Sequence, residues 1–127
     1  MSFTKTIIGL ALALLLASGT ASADWGDVYY CQMTKYTTTN LEGEQINHPP
    51  ERFQFKLDQT KNAMVFGSTG YFADSVKELT TGRNWPSKEK WYASGTSSIA
   101  YFDEGKFLYT RNGSMGIVSV SAVCDKF

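Results

Sequence analysis

The clearest pattern in the chain is a strict period of two. From residue 52 to residue 57, Arg52, Gln54 and Lys56 alternate with Phe53, Phe55 and Leu57. An extended segment with that pattern carries its apolar side chains on one face and its polar ones on the other. The alternation returns near the C-terminus, where Val118, Val120, Ala122 and Cys124 share a face while Ser119, Ser121 and Val123 take the opposite one. Tyr29, Cys31 and Met33 form a matching inward set near the N-terminus. Strands with one apolar and one wet face belong to antiparallel sheets. Beyond residue 23 no stretch sustains a helical period, and Asp74 to Leu79 offers at most a turn or two.

Turn chemistry punctuates this pattern at short intervals. Glu42-Gly43, Asp58 to Asn62, Gly67 to Gly70, Gly82 to Asn84, Gly95-Thr96, Asp103 to Gly105 and Asn112-Gly113 each supply Gly, Asn or Asp where the chain must reverse. Seven reversals separate eight strands. The sharpest signal is Arg111-Asn112-Gly113-Ser114, which predicts a tight hairpin with Asn-Gly at its tip. His48-Pro49-Pro50 ends a short strand over Glu44 to Asn47, because two successive prolines have no N–H to give to a ladder.

The N-terminal segment follows a different logic. Lys5 precedes an uncharged run from Ile7 to Ala17, and Ala21-Ser22-Ala23 is the small-x-small pattern that a signal peptidase cuts. The run of 11 residues reaches only about 16 Å as a helix, well short of a ~30 Å hydrocarbon core. Residues 1–23 are therefore expected to be a cleaved signal peptide and residues 24–127 a single exported domain, periplasmic or secreted. Removing 23 residues from 127 leaves 104, about what eight short strands and their turns require. Asp24 at the new N-terminus provides no lipid-anchoring cysteine.

Export gives meaning to the two cysteines, Cys31 and Cys124, which lie near opposite ends of the exported chain. In an oxidising compartment they are expected to pair as a structural disulfide. Since both fall on inward faces, the bond brings the first and last strands together. The expected fold is all-β: a small closed or nearly closed antiparallel barrel of about eight strands. Phe53, Phe55, Leu57, Phe66, Trp91, Val120 and either Phe107 or Leu108 compete to fill its interior, which at eight strands holds side chains or one small ligand.

Composition narrows the function classes. Twelve Lys and Arg balance twelve Asp and Glu, and loss of Lys5 with the leader leaves a charge of −1. No excess of positive charge exists to favour nucleic acid or an anionic membrane. His48 is the sole histidine, and neither a GxSxG elbow nor an HExxH helix is present. Catalysis, a metal site and a cofactor are therefore not expected. The segment from Gly82 to Tyr92 holds two of the three tryptophans. Arg83, Trp85, Trp91 and Tyr92 are of the types enriched at binding hot spots. They are the candidate contacts to an envelope or extracellular partner protein. Within this reading a structural alternative stands: Trp85 caps one barrel end, Trp91 faces the core and Trp25 covers the other end. Oligomeric state is not legible.

The plan of signal peptide, eight-stranded barrel and early-to-late disulfide is similar to that of the periplasmic inhibitors of c-type lysozyme. Those proteins carry a Ser-Gly-x-x-Tyr loop that enters the lysozyme cleft. Here Ser94-Gly95 is followed by Tyr101, six residues after the glycine rather than three, and no Trp-Lys-Gly follows. The resemblance implies, as an alternative function, inhibition of a cell-wall hydrolase through Ser94, Gly95 and Tyr101. A carrier of a small apolar ligand is a second alternative, disfavoured by the bulk of the side chains competing for the interior.

Overall fold

The structure is a computed structural model that describes residues 23–80 and 90–127. The leader up to residue 22 and residues 81–89, with Arg83 and Trp85, lie outside the described residues. Nine strands form in chain order: β1 (Val28–Thr39), β2 (Gln45–Asn47), β3 (Arg52–Asp58), β4 (Ala63–Phe66), β5 (Val76–Glu78), β6 (Lys90–Ser94), β7 (Ser98–Asp103), β8 (Lys106–Gly113) and β9 (Gly116–Lys126). Eight of them run in the order β5-β4-β3-β1-β9-β8-β7-β6, with β2 paired to the far half of β1. Every pairing is antiparallel. The order is a meander whose first and last strands meet. Its seam lies between β5 and β6, where a bridge from Leu79 to Ala93 and a 2.8 Å bond from the Thr80 N–H to the Tyr92 carbonyl nearly close the barrel.

The alternating segments decide which side chains fill the lumen. On β3, Phe53, Phe55 and Leu57 are buried and their polar neighbours exposed. On β8 the inward position belongs to Phe107, fully buried, while Leu108 points out at 54% exposure. Phe53, Phe55, Phe66, Phe72, Phe102 and Phe107 form one network of rings with centroids 4.9–6.1 Å apart, in tilted, stacked and edge-to-face arrangements. Cys31 and Cys124 face each other across β1 and β9 and are joined by a disulfide. At this end of the barrel Trp91 is buried and meets Trp25 edge-on at 4.9 Å. Trp25 and Trp91 therefore share one end of the barrel, while Trp85, expected to cap the other, lies outside the described residues. Ala23, the last residue of the expected leader, is buried beside this core.

Two local expectations are corrected. Asn112 and Gly113 are not the hairpin tip: both belong to β8, paired with Ile117 and Gly116, so the reversal falls on Ser114-Met115. Turn preference is a local effect of about a kilocalorie, and a ladder running from Lys106 to Gly113 outweighs it. Gly116, at φ +124°, lies so close to Thr39 that a Cβ would run into the Thr39 carbonyl oxygen, which keeps this position for glycine. The segment around Asp74 to Leu79 forms β5 rather than a helical turn.

The strand β1 is not regular along its length. Its register slips between Met33 and Lys35, leaving Thr34 as a bulge whose hydroxyl lies 2.9 Å from the Ser121 hydroxyl and 3.2 Å from the Ser121 carbonyl. Before the bulge the inward residues are Tyr29, Cys31 and Met33; beyond it Tyr36 is opposite the buried Val120 and packs against the core.

Candidate functional site

The barrel end opposite the tryptophans carries the loop between β4 and β5 and the short β6–β7 and β8–β9 turns. Here the inward face changes from phenylalanine to polar aromatic and cationic side chains. On β5, Val76 and Glu78 are exposed while Lys77 takes the inward place, across from the fully buried Met64. Its aliphatic stem lets the ammonium reach the mouth while the chain stays against apolar rings. The ammonium nitrogen lies 4.9 Å from the centre of the Tyr109 ring and 5.8 Å from that of Phe72, within cation–π range. Arg111 follows Tyr109 by two on β8, so it continues the inward face of that strand out to the exposed rim.

A line of rings runs from these cations across the opening. Tyr109 neighbours Tyr71 at 5.9 Å, Tyr71 neighbours Tyr36 at 5.5 Å, and Tyr36 neighbours His48 at 4.5 Å. His48 is held by a 3.0 Å bond between its Nε2 and the Thr38 hydroxyl, and by its own N–H donating to the Tyr36 carbonyl at 2.8 Å. Across the mouth, a Glu51 carboxylate oxygen accepts the Tyr71 backbone N–H at 2.8 Å. A recess of about 350 Å³ opens between these groups, walled by Tyr71, Phe72, Lys77, Ser98, Tyr109 and Arg111. That lies at the small end of the range for ligand pockets.

The electrostatics of the mouth are uneven. Burial, and then the neighbouring Arg111 guanidinium, lowers the Lys77 ammonium below its ordinary value. Burial pushes the Tyr109 phenol up to about 12, with the hydrogen bond to Tyr71 adding to the shift and Ser98 and Arg111 opposing it. Tyr29, at the other end, is also pushed up to about 12, by burial first and by Asp27 second. Both phenols have folded values above their unfolded value of 10, so the stability they contribute is complete below pH 10 and is lost as pH climbs from 10 toward 12. Urea unfolding between pH 8 and 11.5 is expected to show a progressive loss of stability, of which Tyr29 accounts for on the order of 2 kcal/mol. Tyr29→Phe should remove part of this alkaline slope, and an unchanged slope would contradict the assignment.

Sequence reasoning and structure agree only partly on site residues. Trp91 is buried, as the structural alternative had it, so its indole belongs to the core and not to an exposed contact surface. Tyr92 is half-buried on the outer face of β6, directly across from Tyr101 of β7. Ser94 and Gly95 are exposed where β6 turns into β7, but Tyr101 lies mid-strand on the outer wall, its hydroxyl donating to Asp103 at 3.3 Å. The three residues of the inhibitor alternative thus do not share a loop. Arg83 and Trp85 lie outside the described residues. Among the described residues no three His, Cys, Asp or Glu side chains come together as a metal-ligand set.

Lys77, Arg111, Tyr36, Tyr71 and Tyr109 were not singled out from the sequence. A signal for two of them was present: Lys77 shares parity with the buried Leu79, and Arg111 shares parity with Phe107 and Tyr109, so each stands where an inward apolar residue would continue the strand. Comparison with protein-family models, curated proteins and solved structures finds no match to this chain.

Proposed function

We propose that the protein is an exported, non-enzymatic binding protein that engages its partner through the loops and rims of the barrel rather than through its interior. The observation that carries this reading is the contrast between the two regions. The lumen is occupied by the network of phenylalanine rings, whereas the mouth presents Lys77 and Arg111 beside an open recess. That filling also counts against a carrier of a small apolar ligand. The disulfide fits an oxidising, exported compartment. A periplasmic or extracellular protein is the partner class this location offers.

Arg83 and Trp85, whose residue types are those of binding hot spots, form a second candidate contact region. The test is cross-linking in the native exported fraction with wild type, a Lys77→Met/Arg111→Gln variant and an Arg83→Ala/Trp85→Ala variant. One discrete partner is expected with wild type and lost with one of the two variants. Identical cross-linking by all three proteins would remove the reading.

A further inference from the structure

We infer that the recess at the mouth is an anion site, in which Lys77 and Arg111 together hold the carboxylate or phosphate group of a small organic ligand whose body lies against Tyr71 and Phe72. The inference rests on the binding reading above and names the chemistry of one of its two regions. Among the described residues no carboxylate forms an ion pair with Lys77 or Arg111. Lys77 is an inward-facing, half-buried ammonium, and a second cation, Arg111, lines the same recess. Placing two like charges at one recess costs free energy unless an anion lies between them.

Among the described residues no group supplies that anion. Among the described residues the single ion pair is Lys126 with Asp27, 3.0 Å apart and at the other end of the barrel. Glu51, the carboxylate built into the mouth, accepts the Tyr71 N–H and forms no ion pair with Lys77 or Arg111. Asp74, just before β5, and Glu78, its last residue, are exposed, and neither pairs with Lys77 or Arg111. The remaining wall is chemically suited to an anion as well. Ser98 adds a hydroxyl to that wall, beside the Tyr109 phenol. A guanidinium fork with an ammonium beside it is the arrangement that recognises carboxylate or phosphate oxygens. The recess of about 350 Å³ admits such a group with a body of one ring, for which the faces of Tyr71 and Phe72 are the apolar complement.

The proposal is tested by two-dimensional NMR titration of the full exported chain with inorganic phosphate, acetate and benzoate, against sodium chloride at matched ionic strength. Saturable shifts confined to Lys77, Ser98, Tyr109 and Arg111 are expected for at least one anion, with benzoate tighter than acetate. Phosphate or carboxylate selectivity then assigns the ligand class. Lys77→Met, which keeps the apolar stem, is expected to weaken binding at least tenfold, Lys77→Arg to retain it, and Lys126→Gln to leave it unchanged. A native-like spectrum for Lys77→Met separates loss of the site from loss of the fold. Absence of saturable shifts, shifts equal to those caused by chloride, or binding that survives Lys77→Met would overturn the site. If the anions fail while Lys77→Met/Arg111→Gln still abolishes cross-linking to the partner, the anion site falls and the binding reading stands. If the anions bind while neither variant changes cross-linking, the site stands and the binding reading falls.

Discussion

Reducing Cys31–Cys124 is expected to lower the free energy of unfolding by about 4.5 kcal/mol and the melting temperature by on the order of 20 °C. The bond closes a loop of 93 residues, so in the reduced chain the unfolded ensemble regains most of the freedom that the crosslink denies it. A domain of this size has roughly 5–15 kcal/mol to lose. The bond also clamps β1 to β9, the pairing that brings the first and last strands of the chain together in mid-sheet. Thermal melts with and without reductant, with free thiols counted to verify reduction, read the effect. Anion shifts at the mouth should persist below the new melting point, because the disulfide lies toward the other end of the barrel. An unchanged melting temperature after verified reduction would mean that the fold does not depend on this joint.

The second large effect is expected from Phe107→Ala, at about 3–5 kcal/mol. Phe107 is fully buried, and its ring meets Phe53 at 5.0 Å, Phe72 at 5.5 Å, Phe55 at 5.9 Å and Phe66 at 6.1 Å. Truncation removes the ring at the centre of the network and leaves space that neighbours held on β3, β4 and the β4–β5 loop cannot collapse to fill. The next residue is the control. Leu108 is 54% exposed on the outer wall, and Leu108→Ala should stay within about 0.5 kcal/mol of wild type. Urea unfolding of the two variants gives the comparison directly. Similar costs for both would mean that the inward and outward faces of β8 have been assigned wrongly.

These two predictions rest on features that the amino-acid sequence displays openly. Alternation in Arg52 to Leu57 and in Val118 to Cys124 states which side chains face the core, because the period of a strand is two and a slip by one residue would expose the whole set. Two cysteines on inward faces near the chain ends state that the outer strands meet. From those facts the all-β class, the near-closed barrel and most of its filling follow. Whether Phe107 or Leu108 turns inward is open in the sequence, because both are apolar and only the register of β8 against β7 and β9 separates them.

The functional residues were much less legible, for a physical reason that recurs. Asn112-Gly113 signals a turn locally, yet the long β8–β9 ladder and the close approach of Gly116 to Thr39 put the reversal at Ser114-Met115. Ser94, Gly95 and Tyr101 lie near one another along the chain, but the alternation of β7 sends Tyr101 onto the outer wall, away from the turn. Lys77 and Arg111 are 34 positions apart and belong to β5 and β8, strands that are not neighbours in the sheet. What brings them to one recess is the curvature of the barrel, which lets a side chain on one wall reach across the lumen to another. The bulge at Thr34 adds Tyr36 to the same opening by reversing the parity of β1. By itself the sequence determined which residues prefer the inside, since that preference is a property of each side chain and of the strand period. Only the tertiary structure decided which inward residues meet, because register, bulges and closure depend on the summed contacts of all the strands.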